Sequence, residues 1–368
     1  MTQLFINILN WVQSFVGNYG WSVIVFTLLI KLCLLPLDYK SRRSMRAMSL
    51  LNPKLEELKK RYANDQEKLN KKTQELYKKN GVNPLSGCLP MLIQLPILYI
   101  MFAAMRRVAA EMQIEIIYKW AVENGLALVN EDGVFTGLAS VESMKKVMDA
   151  IRNGTASFGD TQSWLWIKSV FQPDNFSRMI LPSLSELTTT LNQYDGKLAL
   201  DENHLNFIKQ YVEQMIIWGT DAKGNLIEHP LASEVYQALR EGASFTSASM
   251  LSLFSISYPT KWTGYINGLS ILPVLACVTQ LLSTKLQPAQ PAANNQQGGT
   301  GKFMKWFFPV FSLWICWSST ASFAIYWVFV NVWGIVSTFA INFFIEKKDK
   351  DTAEGGSDNS TNKEALQP

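Results

Sequence analysis

The stretch from Trp306 to Ile345 contains no Asp, Glu, Lys, Arg or His. At about 1.5 Å per residue, a helix of this length is about 60 Å long and can cross the roughly 30 Å hydrocarbon core of a bilayer twice. A helix in a water-soluble protein is usually shorter and carries charged residues on its exposed face. The stretch therefore predicts two membrane-spanning helices.

Three further apolar segments bring the predicted number of spanning helices to five. The predicted spans are residues 21–37, 85–107, 263–282, 303–318 and 319–345. Several are close to the shortest length that crosses a bilayer, so we expect tilted helices or a locally thinner membrane. The predicted fold class is an all-α membrane protein with a five-transmembrane-helix core.

Residues 1–20 lack the basic start of a cleavable signal peptide. Their apolar residues recur at helical spacing, with Gln and Asn between them, which is typical of an amphipathic helix lying in the membrane interface. The alternative is a frayed first turn of the first spanning helix, because helix boundaries are hard to place from sequence.

The distribution of charge predicts the orientation in the membrane. Residues 38–84 contain 13 Lys and Arg against 6 Asp and Glu, whereas residues 108–262 contain 11 against 18. Basic residues near the ends of spans mark the cytoplasmic side, so residues 38–84 are predicted to be cytoplasmic and residues 108–262 extracytoplasmic. The N-terminus is then outside and the C-terminus in the cytoplasm. Arg106 and Arg107 are a counter-signal, since this topology places them at the outer end of the second span.

The basic segment 38–84 has apolar residues at three- and four-residue spacing on both sides of a polar break at Asn64 and Asp65. This pattern predicts a cytoplasmic helical hairpin with one closed apolar face and one wet, basic face.

The enlarged extracytoplasmic segment, residues 108–262, is predicted to be mostly helical. Its helix-like stretches are Val141–Arg152, Leu205–Trp218 and Leu231–Arg240. Residues 283–302 are predicted to be a flexible cytoplasmic loop and residues 346–368 a disordered tail, because their polar compositions bury too little apolar surface to order the chain.

The most informative single residue is Lys31, which lies inside the first predicted span. A charge at the centre of a spanning helix costs about 2.5 to 3.5 kcal/mol on insertion scales. A lysine can avoid part of this cost by extending its side chain to the interface, which is the alternative to a functional role.

Other polar side chains interrupt the predicted spans at helical intervals, and together with Lys31 they could line one wet cavity. Each alone is more often a hydrogen bond between helices. The additional candidates are Thr27, Gln94, Gln280, Thr284, Trp327 and Asn331.

Residues 83–96, with the sequence NPLSGCLPMLIQLP, are similar to the most recognisable segment of the YidC/Oxa/Alb family, where a basic hairpin leads into the second core span. Further matching pieces follow in the same order as in the family. They are Lys31 followed by Pro36, Asn52-Pro53-Lys54, Leu165-Trp166-Ile167, Ile271-Leu272-Pro273, Phe308-Pro309-Val310 and Asn331. The resemblance covers roughly residues 20–110 and 260–346, and it is to the bacterial YidC type.

This resemblance implies a membrane-protein insertase and chaperone of the bacterial inner membrane. Its five helices would enclose a hydrophilic groove that is open to the cytoplasm and to lipid but closed to the outside. The basic residue of the first span would receive polar or acidic segments of an arriving protein. Lys31 stands where the family more commonly has Arg, so it keeps the charge but lacks the planar fork that binds a carboxylate through two bonds.

The expected partners are nascent membrane-protein clients, a Sec translocon, the ribosome, a signal-recognition receptor and membrane lipids, with no DNA and with function as a monomer. The basic hairpin is the candidate surface for recruiting clients or the ribosome, whose RNA favours Lys and Arg. The candidate residues are Arg42, Arg43, Arg46, Lys54, Lys59, Lys60, Arg61, Lys71 and Lys72.

Two other classes of protein fit the sequence less well. A secondary transporter or channel of a small solute can contain a buried lysine, but the five spans form no matching halves and contain no Asp or Glu for ion coupling. An enzyme is not expected, because His204 and His229, the two histidines, both lie in residues 108–262 and no phosphate-binding GxxxxGK[ST] sequence occurs. No metal or cofactor is expected.

Overall fold

The computed structural model describes residues 2–81, 84–153, 157–158, 161–194, 196–216, 218–220, 226–228, 238, 240, 244–245, 266–286 and 297–364. Asn83 of the family-like segment, almost all of the helix predicted at Leu231–Arg240, and residues 287–296 of the predicted flexible loop lie outside these ranges.

The described part of the chain is mostly helical. The helices are α1 (Thr2–Val16), α2 (Tyr19–Leu50), α3 (Asn52–Arg61), α4 (Gln66–Lys79), α5 (Pro84–Glu123), α6 (Val141–Arg152), α7 (Leu184–Gln193), α8 (Glu202–Ile216), α9 (Ile271–Leu286), α10 (Gln297–Ser318) and α11 (Ala321–Glu364). The strands are β1 (Ala127–Val129), β2 (Phe135–Leu138), β3 (Ser157–Phe158), β4 (Trp218–Thr220), β5 (Leu226–Glu228) and β6 (Ser244–Phe245).

The short strands correct the all-α prediction. They form three two-stranded pairs, antiparallel β1–β2 and β4–β5 and parallel β3–β6. In the first pair, Asn130 organises the turn, because its Oδ1 accepts hydrogen bonds from the backbone N–H groups of Asp132 and Val134. An Asp132-Gly133 turn between two short apolar runs favours a hairpin over a helix, and Gly133 adopts the positive φ of 77° that such turns need.

Three helical stretches are long and apolar enough to span a membrane among the described residues: Tyr19–Leu50, Ile93–Glu123 and Ala321–Ile345. Helix α9 is apolar but shorter. The predicted first and second spans lie within α2 and α5, and both helices continue beyond them into the segments predicted to flank the membrane.

The predicted third span, residues 263–282, begins too early. Helix α9 starts only at Ile271, since Ser270 adopts a left-handed backbone with φ of 63° that a helix cannot include. The predicted disordered tail also differs, because α11 runs on to Glu364. Extending an existing helix avoids the nucleation cost that keeps isolated polar segments unfolded.

The chain divides into two compact units. The first comprises Met1–Phe26, Ile100–Leu275 and Leu313–Trp327, and the second comprises Thr27–Tyr99, Ala276–Ser312 and Val328–Pro368.

The first unit has an apolar core built from the last turns of α5, the β1–β2 hairpin and helices α6 to α8. Its most deeply buried members include Ile114, Ile151, Phe207 and Ile208. Helix α5 ends where the N–H of Leu126 donates to the carbonyl of Ala121 at 2.7 Å, around Gly125 with φ of 69°. A glycine in this conformation is a common way to end a helix and turn the chain back onto a core.

Two backbone contacts join residues 178–179, at the end of the segment 161–178, to residues 266–267, where the described chain resumes before α9. Met179 forms a β-bridge with Ile266, and the N–H of Asn267 donates to the carbonyl of Arg178 at 2.9 Å. The ends of residues 180–265 are therefore neighbours.

Helix α1 also belongs to the first unit and is separated from α2 by Gly17, whose φ is 75°. Ile6, Leu9 and Val12 are buried. The opposite face exposes large apolar side chains, namely Leu4, Ile8, Trp11 and Phe15. An exposed apolar face is consistent with contact to lipid, and its position in the membrane interface stays a prediction.

In the second unit, helices α3 and α4 pack against each other as a hairpin. Its apolar cluster contains Met48, Leu51, Leu55 and Tyr77. Asp65 caps α4 by accepting a hydrogen bond of 3.0 Å from the N–H of Lys68. The spacing seen in the sequence thus corresponds to one buried face of the hairpin.

Candidate functional site

The centre of the candidate site is a polar contact between two apolar helices of the second unit. The Nζ of Lys31 in α2 donates a hydrogen bond of 2.7 Å to Oε1 of Gln94 in α5. Lys31 is only 9% exposed, and Thr27, one turn earlier on the same face, is fully buried. The bond uses one of the three donors of the ammonium, and a neutral amide oxygen does not cancel its charge.

The same face of α2 continues with Asp38 and Arg42, which follow Lys31 by seven and eleven residues. Asp38 interacts electrostatically with both Lys31 and Arg42. Two cations and one carboxylate therefore line this face, and their sum is positive.

Arg42 occupies a different place from the other residues of the predicted recruitment surface. Its guanidinium donates to Oγ1 of Thr338 at 2.6 Å, to Oγ of Ser337 at 3.1 Å and to the carbonyl of Gly334 at 3.2 Å, all in α11. Arg42 thus joins α2 to α11 through its planar fork of donors, and its role in recruitment stays a prediction.

Asn331 joins α11 to α9 in the second unit. Its amide donates to Oγ1 of Thr279 at 3.3 Å and approaches the carbonyl of Ala276 at 3.5 Å. Gly334, one turn later in α11, lies next to Ser283 of α9, and a Cβ at this position would make an ordinary van der Waals contact of 3.7 Å with its Oγ.

Two further predicted groove residues, Thr284 and Trp327, contact neighbours in their own helices. The hydroxyl of Thr284 donates to the carbonyl of Gln280 in its own helix at 2.8 Å, as is common for Thr in apolar helices. Trp327 belongs to the first unit, where it packs against Phe323 with 5.8 Å between ring centroids.

The other basic residues of the hairpin region are mostly on its surface. Arg43, Lys54, Lys60, Arg61, Lys71 and Lys72 are exposed, and Arg46 and Lys59 are partly buried. Lys72 forms an ion pair of 2.7 Å with Glu75, which lies one turn away. The exposed face of the hairpin therefore presents a group of cations to solvent.

Sequence reasoning missed Arg42 as a link between helices, along with its acceptor Ser337. The signal that was available is its spacing, because Arg42 lies eleven residues after Lys31 and therefore on the same helical face.

Comparison with known proteins gives the family. The model of the family described as 60Kd inner membrane protein matches residues 11–220 and 224–349. A protein named Membrane protein insertase YidC from Fusobacterium nucleatum is 52% identical over 99 residues, which are 27% of this chain and 48% of that protein.

Two further relatives carry the same name. The one from Campylobacter jejuni is 45% identical over 94 residues, covering 26% of this chain and 18% of the relative. The one from an Anaeromyxobacter species is 45% identical over 104 residues, covering 28% and 19%. The matched part is thus at most about half the length of these relatives.

These matches confirm the resemblance drawn from residues 83–96 and the pieces that accompany it. Together with the apolar helices they describe a multi-pass protein of the inner membrane. Since the family model covers most of the sequence, this chain belongs to the 60Kd inner membrane protein family, the family of YidC.

Proposed function

We propose that this protein inserts other membrane proteins into the inner membrane and assists their folding. The observation that carries the proposal is the buried ammonium of Lys31, hydrogen-bonded to the neutral Oε1 of Gln94 between two apolar helices. A charge in this position is costly, and it is typical of a functional site in a membrane protein.

The physical problem for an insertase is to carry a polar tail across hydrocarbon. Charges and backbone groups of the tail lose their water there, and each unsatisfied group is costly. A hydrated recess that reaches partway into the membrane shortens the dry path. The apolar part of the client then moves sideways into lipid, where burial of its surface supplies the driving force, so no nucleotide is required.

Lys31 is suited to receive an acidic residue of the client. Its present partner is a neutral amide oxygen, whereas a carboxylate would add the attraction of a full negative charge to the hydrogen bond. Exchange of Gln94 for a client carboxylate is therefore favourable when the recess is partly dry. Once the client carboxylate has passed the recess and is hydrated again, Gln94 can re-form its hydrogen bond with Lys31.

The recess in this proposal is lined by the polar side chains of the predicted spans. Its proposed members in the second unit are Thr27, Lys31, Gln94, Gln280, Thr284 and Asn331, and Trp327 of the first unit stays a predicted member. The helices α2, α5, α9, α10 and α11 would form the five-span core, with the N-terminus outside and the C-terminus in the cytoplasm.

The exposed cations of the hairpin would recruit the client or the translating ribosome from the cytoplasm, since ribosomal RNA attracts Lys and Arg. A Sec translocon and a signal-recognition receptor are proposed as further partners. The protein would act as a monomer and without a cofactor.

Reconstituted proteoliposomes test the proposal. The client is a single-span protein whose translocated tail carries acidic residues, compared with the same client carrying Asn and Gln at those positions. Lys31→Ala is expected to reduce insertion of the acidic client by about tenfold, corresponding to about 1.4 kcal/mol. Lys31→Arg is expected to preserve insertion because it keeps the charge.

Lys40→Ala is the matched control, because Lys40 is an exposed lysine of the same helix. Wild-type insertion of the acidic client by Lys31→Ala, or an equal loss in Lys40→Ala, would remove Lys31 from the mechanism. Absence of insertion by the unmodified protein, with translocation of a small solute in its place, would overturn the proposed function itself.

A further inference from the structure

Residues 161–178 form an irregular segment of the first unit, and residues 161–175 are mostly buried although they contain many polar groups. Its inaccessible polar side chains are Thr161, Ser163, Ser169, Gln172, Asp174 and Asn175. A loop normally lies on the surface, because buried backbone groups need hydrogen-bond partners. The partners of this segment are largely the ends of helices.

The segment binds the start of α2. The Nδ2 of Asn18 donates to the carbonyl of Ser163 at 2.8 Å, and the N–H of Tyr19 donates to Oε1 of Gln162 at 3.0 Å. Gly20 is packed so closely against Trp164 that a Cβ there would overlap the indole. The first turn of α2 is therefore fixed by both hydrogen bonds and contact.

The same segment holds the start of α9 through Asp174, which is fully buried. Its carboxylate accepts from the N–H of Ser270 at 3.1 Å, from the N–H of Leu272 at 2.7 Å and from Nε1 of Trp166 at 3.2 Å. The first N–H groups of a helix have no partner within the helix and carry a partial positive charge. They balance the charge of Asp174, which in turn supports the left-handed backbone of Ser270.

Asn267 strengthens this junction just before α9. Its amide donates to the carbonyls of Ser169, Gln172 and Pro173, and its Oδ1 accepts from the N–H of Ser169 at 2.7 Å. Gly268 is required next to it, because a Cβ at that position would overlap the carboxylate of Asp174.

The segment also reaches the remaining helices. The Nδ2 of Asn175 donates to the carbonyl of Trp317 in the last turn of α10 at 2.9 Å. The N–H of Ala321, the first residue of α11, donates to the carbonyl of Gln172 at 2.9 Å. In α5, Nε2 of Gln113 donates to the carbonyl of Phe171 at 2.9 Å.

We propose that residues 161–178 act as a clasp that binds one end of each of the helices α2, α9, α10 and α11 and an internal turn of α5, with Asp174 as its principal positioning residue. When a client enters, the helices then move apart at their opposite ends, while the clasped ends stay together. This inference rests on the proposed function and adds to it the element that keeps one side closed.

The clasp differs from ordinary packing because its bonds converge on helix ends. Side chains of the clasp bind a terminal N–H or carbonyl of α9 and α10, and its backbone carbonyls receive the first N–H of α11. Removal of one bond should release one helix end while the apolar core of the first unit stays intact.

Pulsed electron paramagnetic resonance of the full chain in liposomes tests the clasp without any client. Spin labels are attached at Leu269 and Ser318, two exposed positions beside the ends of α9 and α10, in a variant whose four native cysteines are replaced by alanine. We expect one narrow label distance in this background. In Asp174→Asn the distance distribution should broaden and shift to longer values. The reason is that an amide N–H₂ would face the N–H donors of Ser270, Leu272 or Trp166 where a carboxylate oxygen stood.

Asp132→Asn is the matched control, because it makes the same chemical change on an exposed turn of the same unit. Asn175→Ala is a milder variant for the case that Asp174→Asn does not fold, and it should shift the distance in the same direction. An unchanged distance in the folded variants would overturn the proposal, as would an equal shift in Asp132→Asn. A purely stabilising role for Asp174 would lower the unfolding temperature and leave the distance in the folded protein unchanged.

The outcomes for the clasp and for insertion are separable. The label distance is measured with no client present, and insertion is measured on the unlabelled protein. If Asp174→Asn loses the narrow label distance but the unmodified protein inserts no client, the clasp is retained and the insertase function is rejected. If Asp174→Asn keeps the distance and the unmodified protein inserts clients, the clasp is rejected and the insertase function is retained.

Discussion

The Nζ of Lys31 and the Oε1 of Gln94 lie 2.7 Å apart although 63 residues separate them in the chain. One polar bond thus links α2 and α5 in surroundings of mainly apolar side chains. A hydrogen bond from a charged donor contributes about 1.5 to 3 kcal/mol when both partners are present. The pair therefore has a structural role in the resting protein, and the first prediction separates this role from the proposed role in insertion.

Replacing Gln94 by Glu should weaken insertion while preserving the link between the helices. The new carboxylate would pair with Lys31 and compete with acidic residues of the client. We expect insertion of an acidic-tailed client to fall by several-fold and insertion of the matched neutral-tailed client to change less. The measurement is the initial rate of insertion into proteoliposomes.

Gln74→Glu is the control for that substitution, because it adds the same charge at an exposed position of α4. A variant Gln94→Glu that inserts both clients like the unmodified protein would show that Lys31 does not contact the acidic tail.

Replacing Arg42 by Gln should destabilise the protein, because three acceptors in α11 lose their donor. The expected loss is about 1 to 3 kcal/mol in the free energy of unfolding. Arg42→Lys should recover only part of it, since an ammonium cannot reproduce the planar fork. Thermal unfolding in detergent measures the change.

Arg43→Gln serves for comparison, as Arg43 is the exposed neighbour and surface substitutions usually change stability by less than about 0.5 kcal/mol. Equal unfolding temperatures for the variants at positions 42 and 43 would contradict a linking role for Arg42.

Neutralising the exposed cations of the hairpin should weaken ribosome binding and make it less sensitive to salt. The variant changes Lys54, Lys60, Arg61 and Lys71 to Gln, and their exposed positions predict an unchanged fold. Each contact between a cation and a phosphate steepens the fall of affinity with salt. Co-sedimentation with ribosomes over a range of salt concentrations gives the slope.

A control variant carries four Lys→Gln changes at exposed positions of the first unit, namely Lys119, Lys145, Lys197 and Lys209. The recruitment proposal fails if the two variants have the same salt dependence. Deletion of residues 54–79 should abolish insertion for the same reason.

The first unit should become less stable as the pH falls, because His204 becomes protonated. Burial lowers the pKa of His204, and the nearby carboxylates of Glu115 and Asp201 oppose this shift only in part. Because the folded state holds the imidazole neutral, the unfolded state binds the proton more readily. The stabilising contribution is therefore fully present above the ordinary histidine pKa and is lost as the pH falls below it.

Unfolding temperatures between about pH 7.5 and pH 5 measure this effect. His204→Phe should reduce the pH dependence while keeping the ring contact with Tyr118, whose ring centroid lies 4.4 Å from that of His204. An unchanged pH dependence in His204→Phe would assign the effect to other groups.

Lys31 and Gln94 were both identifiable from the sequence, because a charge and an amide are conspicuous in apolar helices. Their hydrogen bond follows from the cost of leaving either group without a partner. The hairpin was equally predictable from the sequence, since Leu55 and Tyr77 each belong to a series of apolar residues at helical spacing and are buried as that spacing requires.

Other features depend on contacts that no local pattern reveals. The acceptors of Arg42 lie 292 to 296 residues away, so spacing alone grouped this residue with the solvent-facing cations. Asp174 caps a helix that begins 97 residues later, after a long excursion of the chain, and a Pro-Asp pair in a loop gives no hint of this. Strands of two to four residues, such as β2 and β3, are too short to show an alternating pattern.

The adjacency of Met179 and Ile266 has a consequence for how this protein can change over time. A stretch of chain that departs and returns at neighbouring points can be lengthened, shortened or exchanged without displacing the helices on either side. Apart from helices α7 and α8, which share an apolar core with α5, the length of this stretch can therefore change without moving these two neighbouring points.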